Sequence, residues 1–279
     1  MKSISDISYS FFFNGNRGIE VLKVFNKKNL KINNIFISKK FLRPQILKKI
    51  PKRNKYKLIK SLNHKLIKKT LKKTDIALSC GFPLIFNESV LKLPRFGFLN
   101  CHAGKLPKYR GGSPLNWQLI NCEKKFGISI IKMNNKIDGG DILSERNFFI
   151  KKNYDINDLH KIANKNFPKM LIESIIKIIN KKKSKKIRKK SLIWKQRTEQ
   201  DSFFRFKHKT FHQADRFVKA LQHPYPNAFF YFKNTKYKIL KIKKTNKKLI
   251  PGDILFKSND LYIGLKKSTV KAEFKSLSL

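Results

Sequence analysis

The chain has 279 residues, with 65 Lys and Arg against 17 Asp and Glu, a formal net charge of +48, and a hydrophobic share of 41%. That apolar share excludes a disordered basic tail, and the length allows one large domain or a medium domain followed by a small one. Lysines interrupt every Ile- and Phe-rich stretch before it reaches the roughly eighteen residues of a membrane span, and Met1-Lys2-Ser3 opens no signal-peptide apolar region, so neither a spanning nor a secreted protein is expected.

In chain order, apolar residues 7–13 predict a strand, Asn14-Gly15-Asn16-Arg17-Gly18 a tight turn, and Ile19, Leu22, Val24 and Phe25 the buried face of a helix. The turn carries only a fragment of the G-x-G-x-x-G fingerprint, so it reads as a glycine-assisted turn and not as a dinucleotide site. Residues 32–37 predict the next strand. A lysine-rich amphipathic segment with Leu58, Ile59, Leu62, Leu66, Ile67 and Leu71 leads to another at 75–80, and further strands are predicted at 97–101, 127–133 and 142–150. Strands alternating with helices imply a parallel sheet with right-handed crossovers. Residues 155–181 have helical apolar spacing, with Pro168 expected to kink or divide the helix.

The run KKKSKKIRKK at 181–190 reads as a solvated linker. Beyond it a helix is predicted around 211–221. Short alternating strands follow at 228–232, 237–242, 253–256 and 261–265, the pattern of a small antiparallel β domain.

The charge has two readings. Lysines that neutralise phosphates drive nucleic-acid binding; alternatively, lysine spread along the whole chain beside abundant Ile, Asn and Phe is what an A/T-rich genome supplies without any selection for binding. Net charge speaks to solubility and non-specific association rather than to fold. Cys80, Cys101 and Cys122 show no C-x-x-C spacing, which argues against a disulfide framework and a zinc site and for a reducing cytoplasm.

Chemistry concentrates in GFLNCHAGKLPKYRGGSPLNW at 97–117, where a strand end meets a loop rich in Gly, Pro, Arg and His. In an open parallel sheet, loops at the carboxyl ends of strands hold polar groups over a crevice. Asn100 and His102 stand two apart on one strand and share a face. An amide donor can hold a developing oxyanion there and an imidazole can move a proton. A carboxylate follows on a glycine turn, at Asp138 in Ile137-Asp138-Gly139-Gly140-Asp141-Ile142-Leu143. Each piece alone is more often structural than catalytic.

Taken together, GFLN-x-H-AG-x-LP-x-YRGG-x-P-x-NW followed by K-x-DGGDIL resembles the folate-dependent formyltransferase family. Residues 79–83 with 91–94, residues 197–201, and the stretch Val218-Lys219-Ala220-Leu221-Gln222-His223-Pro224-Tyr225-Pro226-Asn227-Ala228-Phe229 are similar to other parts of that family, so the resemblance covers most of the chain.

The resemblance implies an α/β fold, a Rossmann-like catalytic domain over residues 1–190 and a small β-rich, OB-like domain over 191–279. It implies transfer of a formyl group from 10-formyltetrahydrofolate to a primary amine, without metal. Asn100 would hold the formyl oxygen, His102 would exchange a proton with the amine or the folate nitrogen, and Asp138 would orient His102. Leu84, Ile85, Phe86, Asn134, Asn135, Lys136 and Ile137 would line the folate pocket, largely through backbone groups and apolar contact. A homodimer is one arrangement open to such an enzyme.

Two acceptors are in view. Pro114-Leu115-Asn116-Trp117 and the Pro224–Phe229 segment look more like enzymes that formylate nucleotide-linked amino sugars. Ala103-Gly104-Lys105-Leu106-Pro107 departs from the Ser-Leu-Leu-Pro of methionyl-tRNA formyltransferases, and the basic segment 39–57 is short for their insertion. Gly112 stands where an arginine of the amino-sugar enzymes touches the sugar nucleotide, leaving Arg110, with Asn116, as the expected acceptor contacts. A non-catalytic basic RNA-binding protein on this scaffold would be expected to lack one of the trio, and all three are present.

Overall fold

A computed structural model describes residues 3–187 and 191–278. Its first elements are β1 (Ser8–Phe13), α1 (Asn16–Lys27), β2 (Lys31–Ser38), α2 (Pro44–Leu47), β3 (Tyr56–Ile59), α3 (Lys65–Lys72), β4 (Ile76–Cys80), α4 (Glu88–Leu91) and β5 (Phe98–His102). They are followed by β6 (Arg110–Gly111), α5 (Pro114–Ile120), β7 (Lys125–Lys132), β8 (Asp141–Phe149), α6 (Ile156–Ile179) and β9 (Ile193–Trp194). The chain then forms α7 (Phe211–Ala220), β10 (Ala228–Phe232), β11 (Thr235–Thr245), β12 (Ile254–Lys257), β13 (Asp260–Leu265) and β14 (Ser268–Ser278). Two compact units result, one of residues 1–110, 127–147 and 161–193, the other of 111–126, 148–160 and 194–279.

The first unit is built on a seven-stranded sheet of order β3-β2-β1-β4-β5-β7-β8. β1 pairs in parallel with β2 and β4, β2 with β3, and β4 with β5. Every residue of β1 is buried, as expected for a strand with neighbours at both edges and both faces covered. Phe12 stacks on Phe36 at 4.8 Å and meets Phe86 edge-on at 5.2 Å, and with Leu71, Val90 and Phe98 they form one aromatic-aliphatic core.

Three details differ from the sequence-based expectation. The sheet is mixed: β5 and β7 run antiparallel, in the register Leu99↔Lys132 to His102↔Ser129. Residues 56–59 form the edge strand β3 instead of joining the helix, which is confined to 65–72. An edge strand buries little, and β3 is exposed at Tyr56, Lys57 and Leu58, so no alternation betrays it. Finally, α6 continues through Pro168, which only removes the N–H that would have reached the Asn164 carbonyl.

The basic run after α6 is partly pinned, because Lys185 exchanges backbone hydrogen bonds of 2.8 and 2.9 Å with Ile142. Arg188, Lys189 and Lys190 lie outside the described residues.

The second unit carries a five-stranded antiparallel sheet of order β10-β11-β14-β13-β12. Its long central strand β14 was not expected. Val270, Ala272 and Phe274 alternate there with Lys271, Glu273 and Lys275, and Thr269, Val270 and Ala272 are buried. Helix α7 begins at a capping box in which Thr210 and Gln213 satisfy each other's backbone N–H groups. No helix among the described residues is long and apolar enough to cross a membrane.

Candidate active site

Strand β5 places Asn100 and His102 on one face, and its antiparallel neighbour β7 leads into the loop that carries Asp138. The three side chains converge. Asp138 Oδ1 accepts a hydrogen bond from Asn100 Nδ2 at 3.2 Å, and Asp138 Oδ2 faces His102 Nδ1 at 3.4 Å. The pair is sheltered, with 5% of the His102 side chain and 13% of the Asp138 side chain exposed.

On its other edge the imidazole is held by main chain, with His102 Nε2 lying 2.6 Å from the Tyr109 carbonyl oxygen. A carbonyl can only accept, so Nε2 carries the ring hydrogen, and Nδ1 is the nitrogen presented to the carboxylate. A second hydrogen on Nδ1 would also meet an oxygen, so the site accommodates the doubly protonated ring. The loop closes this tightly because residue 104 is glycine: a Cβ there would overlap both His102 Nε2 and the Tyr109 carbonyl. Tyr109 N–H donates to Lys105 O at 2.9 Å and Ser129 Oγ donates to Gly104 O at 3.0 Å, which fixes the loop from both ends.

The Asp138 turn is equally determined. Asn134 accepts from Lys136 N–H at 3.0 Å and donates to the Gly139 carbonyl at 3.2 Å. Asp138 itself takes φ +41°, the left-handed region that an Asp tolerates better than most residues. Arg110 grips the carbonyl just before it, with Nε and Nη2 donating to Ile137 O at 2.8 and 2.7 Å. Arg110, expected at the acceptor, therefore braces the turn that aims Asp138.

The other expected site residues divide. Asn134, Asn135, Lys136 and Ile137 form the exposed rim of the turn, and Ile85 is 80% exposed. Leu84 packs against the aromatic core, and the Phe86 ring is buried within it, 4.6 Å from Phe98. That ring is committed to packing, and only the backbone of residue 86 remains to meet a ligand. Asn116 belongs to the second unit, is 1% exposed, and donates its amide to the Ala220 carbonyl at 2.8 Å. Its amide is engaged in packing there.

Sequence reading missed the Tyr109 carbonyl, which leaves no side-chain signal, and Gly104, whose signal was present in Ala103-Gly104. Cys101 lies between the two site residues of β5, its Sγ 3.6 Å from that of Cys80. Burial, reinforced by the Cys80 contact, pushes its thiol well above the ordinary range, so it is no ready nucleophile.

Two family models match the chain: Formyl transferase over residues 20–175, more than half of the sequence, and Formyl transferase, C-terminal domain, over 197–273. The bifunctional polymyxin resistance protein ArnA of Wigglesworthia glossinidia brevipalpis is 34% identical over 214 residues, 71% of this chain and 31% of that protein. The methionyl-tRNA formyltransferase of Orientia tsutsugamushi is 28% identical over 188 residues, 67% of this chain and 61% of its relative. The chain thus spans about a third to three fifths of these curated relatives. Among solved structures, an N-formyltransferase from Helicobacter canadensis in complex with folinic acid and dTDP-3-aminofucose superposes with a TM-score of 0.72 at 18% identity, covering 96% of this chain and 100% of that one.

Proposed function

The chain belongs to the formyl transferase family, and we propose that it moves a formyl group from 10-formyltetrahydrofolate to the primary amine of a nucleotide-linked amino sugar. The observation that carries this reading is the carboxylate of Asp138, shared between the Asn100 amide and the His102 ring. The folate supplies an activated formyl carbon. In the transfer the bond from that carbon to the folate nitrogen breaks, a bond to the acceptor nitrogen forms, and one proton passes from the second nitrogen to the first.

Asn100 spends one amide hydrogen on Asp138 and keeps another to stabilise the oxygen as it gains negative charge. His102 handles the proton. With Nε2 anchored on the Tyr109 carbonyl, the exchangeable hydrogen is the one at Nδ1, beside Asp138. Exposed Ile85 and Ile137 suit the flat apolar face of a heteroaromatic ring, and the backbone of the Asn134–Ile137 rim offers polar groups to its edge. We place the catalytic part at residues 1–190 and the small β part at 191–279, working in a reducing cytoplasm where Cys80, Cys101 and Cys122 stay free.

The amino-sugar acceptor is favoured by the Pro114–Trp117 and Pro224–Phe229 motifs and by the spread of lysine. Exposed lysines stand on several elements, α1 (Lys23, Lys27), α3 (Lys65, Lys68, Lys69) and the C-terminal sheet (Lys241, Lys243, Lys244). A second reading, methionyl-tRNA as acceptor, is favoured by the net charge of +48.

The deciding experiment gives the purified chain 10-formyltetrahydrofolate with methionyl-tRNA and, separately, with a panel of nucleotide-linked 3-amino and 4-amino sugars. Formylation of an amino sugar, insensitive to moderate salt, is expected. Efficient, steeply salt-dependent formylation of methionyl-tRNA would replace the first acceptor by the second, and no transfer to any amine would end the formyl-transfer reading.

A further inference from the structure

The strand that carries Asn100 and His102 ends with an unusual backbone bond. Ala77 N–H donates to Gly97 O, and Met133 N–H donates to Phe98 O. Odd-numbered carbonyls of β5 therefore point toward β4 and even-numbered ones toward β7. The β4–β5 ladder stops at Ser79↔Asn100, and β4 turns away at Gly81, where φ is +72°. The Cys101 carbonyl, next in line on that side, has run out of sheet.

Arg17 takes the place of the missing strand. It stands in the first turn of α1, and its Nη1 donates to Cys101 O at 2.8 Å. Its guanidinium also lies 4.8 Å from the centre of the buried Phe167 ring on α6, which sets the reach and plane of the group. The carbonyl it holds is one end of the peptide plane whose other end is the His102 nitrogen. Turning that plane swings His102 against Asp138 and Tyr109.

We propose that Arg17 is a positioning residue for the formyl-transfer step: by clamping the Cys101 carbonyl it fixes the peptide entering His102 and so the aim of the imidazole at Asp138. The proposal rests on the assignment of Asn100, His102 and Asp138 above. Arg17 touches no reacting atom in this role, so its loss falls on turnover and leaves binding of both substrates nearly unchanged.

The test compares wild type with Arg17→Met, which keeps an apolar stem over Phe167 but cannot donate, and with Arg17→Lys, which keeps a charged donor of different shape. Arg17→Met is expected to lower kcat by about tenfold or more, with each KM within about twofold, and Arg17→Lys to recover part of the loss. A near-normal kcat in Arg17→Met overturns the proposal. So does a loss confined to KM, which would make Arg17 a substrate contact.

A second readout needs no activity: the His102 Nε2–H resonance, protected by its bond to the Tyr109 carbonyl, is expected to exchange faster with solvent in Arg17→Met. An unchanged signal overturns the clamp even if turnover falls through some other route. Absence of formyl transfer by wild type would instead remove the functional reading, with the resonance still reporting whether Arg17 aims the ring.

Discussion

At the scale of single residues, the Asn100, His102 and Asp138 side chains are held by hydrogen bonds to one another and to the Tyr109 carbonyl. On the proposed function, His102→Ala removes the group assigned to proton transfer and should lower kcat by about 100-fold or more, with little change in folding, as steady-state kinetics beside a thermal melt would show. Turnover near the wild-type value would mean that the ring does not carry the proton.

Asp201, in the second unit, offers a separate pH signature. Burial favours its neutral form, yet hydrogen bonds from Lys195 and from both the N–H and hydroxyl of Thr198 outweigh it, and the carboxyl is pulled down to about 2. A folded value below the unfolded one stabilises the fold above about pH 4 and loses that contribution as the pH falls toward 2. Asp201→Asn is therefore expected to be less stable than wild type near neutrality, with the gap in denaturant midpoint closing between about pH 5 and pH 2. A gap independent of pH would show that the hydrogen bonds matter and the charge does not.

At the scale of elements, what could be read beforehand depended on whether burial leaves a period in the sequence. β1, β4, β5 and α1 sit deep enough that almost every inward position is apolar, and they lie where the pattern placed them. β3 escaped because it is an exposed edge whose burial leaves no alternation, whereas β14 alternates from Val270 to Lys275, a period that sequence reading missed. The trio was legible only through the family resemblance, because Asn100 and His102 two apart on a strand and Asp138 in a glycine turn are each, taken alone, more often structural. Nothing in the sequence showed that Arg110 would spend its guanidinium on the Ile137 carbonyl, or that Asn116 would turn inward to Ala220, since partners so far apart in the chain are chosen by the fold. The packing of β1 is itself testable. Phe12 is fully buried among Phe36, Phe86 and Phe98, and Phe12→Ala should cost about 3–5 kcal/mol of unfolding free energy, checked by denaturant titration. A cost below about 1 kcal/mol would mean that the neighbouring rings collapse into the gap.

At the scale of the whole molecule, 65 cationic side chains face only 17 acidic ones, so most of the surface charge has no neighbour of opposite sign. Such self-repulsion opposes the compact state and is relieved as the Debye length shrinks, about 10 Å at 0.1 M salt. Raising salt from about 0.05 to 0.3 M is expected to raise Tm by a few degrees, read by calorimetry; a flat or falling Tm would show that the surface ion pairs already neutralise the field.

The same coat of lysine bears on non-specific association with polyanions. Non-specific attachment to nucleic acid at physiological salt has dissociation constants of about 10⁻⁴ to 10⁻⁶ M, and inside a cell the polyanion is present in excess of that. A protein armed on α1, on α3 and on the C-terminal sheet can attach by whichever of these meets the polyanion first. Were such attachment to hold, RNA and DNA would form a reservoir, and the free concentration of the protein would be a partition ratio set by ionic strength.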